Sequence, residues 1–217
     1  GPPVQLAGFS CVRQGFTGNA ARHGAPPTWP PAPRPRGVLA PLPMFPETPM
    51  TDLFDPLTFA SGARMKNRFM LAPLTNLQSH ADGTLSDDEY RWLTMRARGG
   101  FGATMTCASH VQAAGLGFPG QLGCFSDDHL PGLTRLAAGI HEGDSLAILQ
   151  LHHAGMRSPA EEIGQAPLCP SDNSEFGARA LTTAEVEGVR EAFIAAAGRA
   201  EQAGFDGVEL DGAHGYL

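Results

Sequence analysis

Apolar and polar positions along the chain alternate between short hydrophobic runs and longer stretches with helical spacing. Arg68-Phe69-Met70-Leu71-Ala72-Pro73-Leu74 is a brief apolar run closed by proline, which predicts a buried strand. Ser86-Asp87-Asp88-Glu89 has the form of a capping box and predicts a helix through Arg98, stopped by Gly99-Gly100. Residues 101–108 form a second apolar run. Leu130, Leu133, Leu136 and Ile140 recur at helical spacing before Gly143. Residues 145–151 read as a third strand. Thr182-Thr183-Ala184-Glu185 is another capping box, opening a long helix. One face of that helix carries Val186, Val189, Phe193, Ala196, Ala197 and Ala200, and Gly204 ends it. Gly207-Val208-Glu209-Leu210 reads as a fourth strand.

Apolar strands alternating with helices predict an α/β fold, a parallel sheet covered by helices. An open doubly wound sheet and a closed barrel both satisfy the pattern, and both place function at the C-terminal ends of the strands. Residues 1–49 stand apart. They hold twelve of the nineteen prolines and one acidic residue, Glu47, against four arginines. Proline removes backbone donors and fixes φ, so this leader is expected to be disordered or extended, or to be non-native sequence upstream of Met50. The folded domain is expected over residues 50–217.

Composition narrows the function classes. The net charge of -7 argues against nucleic acid and anionic membrane surfaces as partners. No apolar run approaches the roughly 20 residues that span a bilayer. The four cysteines show no CxxC spacing, so no metal site is indicated, and a reducing cytoplasm fits. Gly115-Leu116-Gly117-Phe118-Pro119-Gly120 matches GxGxxG, but it opens no helix and contains Pro119, so it is not read as a dinucleotide fingerprint. His152 and His153 are adjacent on a strand, face opposite ways, and cannot share a metal.

The strand ends concentrate the polar and small residues: Pro73-Leu74-Thr75-Asn76, Thr106-Cys107-Ala108-Ser109, Gln150-Leu151-His152-His153, and Asp211-Gly212-Ala213-His214-Gly215-Tyr216. Together they describe one convergent small-molecule site. Five ordered segments then carry a resemblance. Lys66-Asn67-Arg68, Ala72-Pro73-Leu74-Thr75, Gln150-Leu151-His152-His153-Ala154-Gly155, Ala203-Gly204-Phe205-Asp206-Gly207-Val208-Glu209 and Gly212-Ala213-His214-Gly215-Tyr216-Leu217 resemble the old yellow enzyme family.

The resemblance implies the first half, about four β/α units, of a TIM-type (β/α)8 barrel with FMN at its C-terminal mouth. It implies hydride transfer from NADH or NADPH to FMN, then to an electron-poor, enone-type alkene. Pro73, Leu74, Thr75, Ala108 and Gln150 would contact the flavin. Gln150 suits its pyrimidine edge, which needs both donor and acceptor. Tyr216 would be the proton donor, since a phenol is neutral at pH 7 yet can donate to a developing enolate. His214 would hold the substrate carbonyl, with Asp211 beside it. Small-molecule substrates are the expected partners; self-association into a homo-oligomer stays open.

Three positions depart from the family pattern. Relatives usually carry histidine where this chain has Asp211; an ionised aspartate only accepts hydrogen bonds and would repel an enolate oxygen. Either it is protonated, or the substrate differs, or the site is impaired. Met156 stands where the motif usually has arginine, with Arg157 one place later. Cys107 stands where many relatives have an acidic or hydroxyl residue. A reading of another class is an inactive half barrel that only associates with another chain, because four barrel strands leave two unpaired edges.

Overall fold

The computed structural model describes Asp52–Leu217. The expected proline-rich leader lies outside the described residues. A two-stranded antiparallel ribbon, β1 (Leu57–Thr58) with β2 (Arg64–Met65), precedes the main sheet. There follow β3 (Met70–Leu71), α1 (Asp87–Arg98), β4 (Ala103–Met105), β5 (Ser109–His110), α2 (Leu130–His141) and β6 (Leu146–His152). A short helix α3 (Ala160–Ile163) and a small parallel pair, β7 (Leu168–Cys169) with β8 (Arg179–Ala180), form an excursion. The chain returns through α4 (Thr183–Ala203) to β9 (Gly207–Leu210).

The main sheet is parallel and runs β3-β4-β6-β9, so each new strand is added on the same side of the last. α1 packs on α2 and α2 on α4, so successive helices lie side by side. This sequential, one-sided winding separates the two architectures that periodicity left open: it is that of a β/α barrel. The core lies between helices and sheet, where Leu93, Ala97, Leu133, Leu136, Ile140, Ala196 and Ala200 meet Ala147, Leu149, Leu151 and Val208. Burying a leucine or isoleucine of this kind contributes about 1.5–3 kcal/mol, which is what fastens the helices to the strands.

The differences from the sequence expectations have local causes. β3 is shorter than predicted because Pro73 has no N–H to continue a ladder. The second predicted strand is split. Met105 pairs with Ile148 but Ser109 with Leu151, so four steps on one strand oppose three on the other. Thr106–Ala108 is therefore a β-bulge. The Thr106 hydroxyl fills the gap by accepting the Gln150 N–H at 3.1 Å. Thr182 and Glu185 form the expected reciprocal cap. At α1, Ser86 caps the Glu89 N–H, but the Glu89 carboxylate does not return to it. Glu89 is fully buried and instead accepts from the Ser79 hydroxyl and, at 2.6 Å, from the Cys107 thiol. The first turns of α4 are less buried than its apolar face suggests: Val186 is half exposed.

Candidate active site

Parallel strands deliver their C-terminal ends to one rim of the sheet, and the residues singled out from sequence lie along it. Pro73, Leu74 and Thr75 follow β3; Leu74 and Thr75 are exposed, and among the described residues the Thr75 hydroxyl has no hydrogen-bond partner. Ala108 sits in the bulge, buried, presenting only a methyl group. Gln150, on β6, lies in register with Glu209 of β9 and favours the ionised form of its carboxyl, whose Oε2 is buried without a hydrogen-bond partner among the described residues. Burial nevertheless raises the Glu209 pKa, with Asp211 adding to it. Asn76 Nδ2 and Gln78 Oε1 are buried without a partner among the described residues.

The segment after β9 is held by backbone geometry. Gly155 has φ +57, and a Cβ there would overlap the Tyr216 carbonyl. The Met156 N–H donates to that carbonyl at 2.9 Å. Arg157 Nε donates to the His214 carbonyl at 3.1 Å and its guanidinium lies over Phe176. Arg157 thus tethers the segment. His214 has φ +59, an uncommon conformation for a residue with a side chain and one that collects at functional sites. The His214 and Tyr216 rings lie 5.8 Å apart, edge to face.

Asp211 accepts the Ala213 N–H at 3.2 Å through Oδ1, a local turn that a short carboxylate makes readily. Its Oδ2 lies 3.9 Å from His152 Nε2. His152 is buried, its ring 4.5 Å from Tyr216. The sequence reading weighed His152 only as a metal ligand and missed this placement. The available signal was register: β6 and β9 lie side by side, so residues 152 and 211 fall level. His153 does face the other way, as expected. Its Nδ1 accepts the Gly155 N–H at 3.0 Å, and desolvation lowers its pKa to about 4. A cavity of about 240 Å³ beside it is lined by Phe193, Leu210, Asp211 and Leu217 rather than by Thr75, Ala108 and Gln150.

Cys107 is not a reactive thiol. Burial, then the Glu89 carboxylate, pushes its pKa well above the ordinary thiol value. The Cys107 thiol supplies a donor toward Glu89, where a second carboxylate would meet a like charge. Residues 115–120 open no helix; Gly117 N–H instead donates to Gln121 Oε1 at 2.7 Å. Among the described residues no histidine, cysteine and carboxylate cluster could hold a metal, and no helix is long and apolar enough to cross a membrane.

Residues 52–217 match the family described as NADH:flavin oxidoreductase / NADH oxidase. The chain belongs to that family. A probable NADH-dependent flavin oxidoreductase of Bacillus subtilis (strain 168) is 42% identical over 169 residues, covering 76% of this chain and 45% of that protein. The NADH:acrylate oxidoreductase of Vibrio harveyi is 38% identical over 175 residues, 77% of this chain and 17% of its own. The solved old yellow enzyme homologue from Zymomonas mobilis superposes with a TM-score of 0.70 at 29% identity, covering 77% of this chain and 50% of that one. The chain therefore spans half or less of the length of these relatives. Within this NADH:flavin oxidoreductase fold, the described strands correspond to the leading part of the TIM barrel.

Proposed function

We propose that the chain carries the substrate-facing residues of an FMN-dependent oxidoreductase that takes hydride from NADH or NADPH and reduces an electron-poor alkene. The observation that carries this reading is the pinned segment 211–216, which holds His214 and Tyr216 beside the strand-end rim. The rim fits a flavin. The free Thr75 hydroxyl, the Gln150 carboxamide and the orphaned Asn76 Nδ2 and Gln78 Oε1 offer both donors and acceptors, and Ala108 leaves room for a flat ring. Pro73, Leu74, Thr75, Ala108 and Gln150 would hold the flavin, which when bound supplies hydride transfer.

His214 polarises the carbonyl that activates the alkene, and Tyr216 delivers the proton to the carbon beside it. The relative whose name includes acrylate acts on a conjugated alkene, which agrees with that substrate class. In the flavin-loaded protein, Tyr216→Phe should slow alkene reduction about 10²–10⁴-fold. Flavin reduction by NADH should remain close to native. Equal slowing of both half-reactions, or a protein that takes up no FMN, would overturn the reading. Exposed Val186, Ile194 and Leu210 support a second reading, association with another chain; it predicts no turnover in any variant.

A further inference from the structure

His152 and Asp211 form a pair that the flavin site alone does not explain. The register Gln150↔Glu209 and Leu151↔Leu210 carries on, with the Asp211 N–H donating to the Leu151 carbonyl at 3.0 Å. His152 and Asp211 are thus cross-strand neighbours on the rim. The protonation of the imidazole is fixed by Gln121. Gly117 N–H donates to Gln121 Oε1, and Gln121 Nε2 donates to the Ala108 carbonyl at 3.1 Å, which together set the amide's orientation. That same Nε2 lies 3.1 Å from His152 Nδ1. A carboxamide nitrogen only donates, so Nδ1 must accept, and the neutral ring carries its proton on Nε2, toward Asp211. Burial, with His214 adding to it, lowers the His152 pKa despite the opposing pull of Asp211 and keeps the ring uncharged.

At 3.9 Å the Nε2–H is beyond hydrogen-bond reach of Asp211 Oδ2 and acts on it as a neighbouring dipole, favouring the carboxylate without cancelling its charge. The substrate site then presents an acceptor, Asp211, near donors, His214 and Tyr216. Resting on the flavin-oxidoreductase reading, we propose that His152 is a positioning residue that holds Asp211 as a hydrogen-bond acceptor. The pair selects alkenes whose activating carbonyl is flanked by an N–H, as in unsaturated amides and imides, over esters and carboxylates. The carbonyl takes the donors, the neighbouring N–H takes Asp211, and a substrate carboxylate meets a like charge. Asp211 is then a selector, and its place in the family's usual histidine position is a change of specificity.

A site built to hydrogen-bond one group rejects an analogue that leaves its buried partner unpaired. In the flavin-loaded protein, kcat/KM for maleimide should exceed that for N-methylmaleimide by more than about tenfold, and acrylate should be poorer still. Asp211→Ala should bring the two imides to within about twofold, and His152→Ala should lower the preference through KM. Asp211→Ala also keeps the test open if His152→Ala does not fold. A native protein indifferent to the N-methyl group, or a preference that survives Asp211→Ala, overturns the proposal. Failure of the broader reading looks different, as no flavin spectrum and no NADH oxidation. In that event the ¹⁵N spectrum of His152 decides: a proton on Nε2 with Nδ1 unprotonated supports the arrangement, and a proton on Nδ1 overturns it.

Discussion

Replacing Gly155 with alanine tests the link between backbone geometry and proton delivery. Two effects add at this position. The left-handed conformation at φ +57 costs an alanine about 1–2 kcal/mol. The new Cβ also overlaps the Tyr216 carbonyl, so the segment around Tyr216 must move and the Met156 N–H loses its acceptor, about another 1 kcal/mol. Gly164 provides the control. Its φ is +67, but nothing lies within 4 Å of where a Cβ would stand. Gly164→Ala should therefore show the backbone effect alone, and Gly155→Ala about 1 kcal/mol or more beyond it in urea denaturation. A displacement near 1 Å at a reacting group costs about 10²-fold in rate. Gly155→Ala should accordingly lose about that much in alkene reduction, while Gly164→Ala stays near native. Equal stability losses and native turnover in both variants would show that the Gly155–Tyr216 contact does not position the phenol.

The Glu89 cluster and the buried histidines give two further expectations. Cys107→Ser keeps a donor toward Glu89 and should be tolerated, whereas Cys107→Glu places a second buried carboxylate against it and should destabilise the fold by several kcal/mol, read by thermal melting. The folded protein holds the pKa of His110 and His153 down at about 4, chiefly by desolvation, while the unfolded chain titrates them near 6.5. Across that window the unfolded chain binds more protons, so stability present above pH 6.5 is lost as pH falls toward 4. His110→Phe should flatten the fall in denaturation midpoint; an unchanged slope would show that His110 is charged in the folded state.

The alternation of strands and helices was legible because burial makes β6 largely apolar and because Thr182 and Glu185 cap α4 in sequence-local fashion. The rim residues were legible as a group, since parallel strands bring their C-terminal ends together. What sequence could not show depends on partners far along the chain. Glu89 reads as a capping residue until Ser79 and Cys107 draw it inward. Gly155 reads as a turn residue until the Tyr216 carbonyl lies against it. The bulge is defined by β6, not by residues 106–108 themselves. His152 gained a meaning only once Gln121, 31 residues away, fixed its tautomer.

That bulge has a consequence for how the gene can change. One extra residue between Met105 and Ser109 reverses which side of the sheet each later side chain takes, so His110 shares a face with His152 and Ser109 with Leu151. Deleting any one of residues 106–108 would leave three steps against three, a regular strand in which Ser109 still opposes Leu151, but the bulge that brings the Thr106 hydroxyl to the Gln150 N–H would be lost. A substitution in this stretch keeps the bulge, whereas a deletion abolishes it. Among family members the spacing between these two short strands should thus be kept more strictly than the identities of the three residues that fill it.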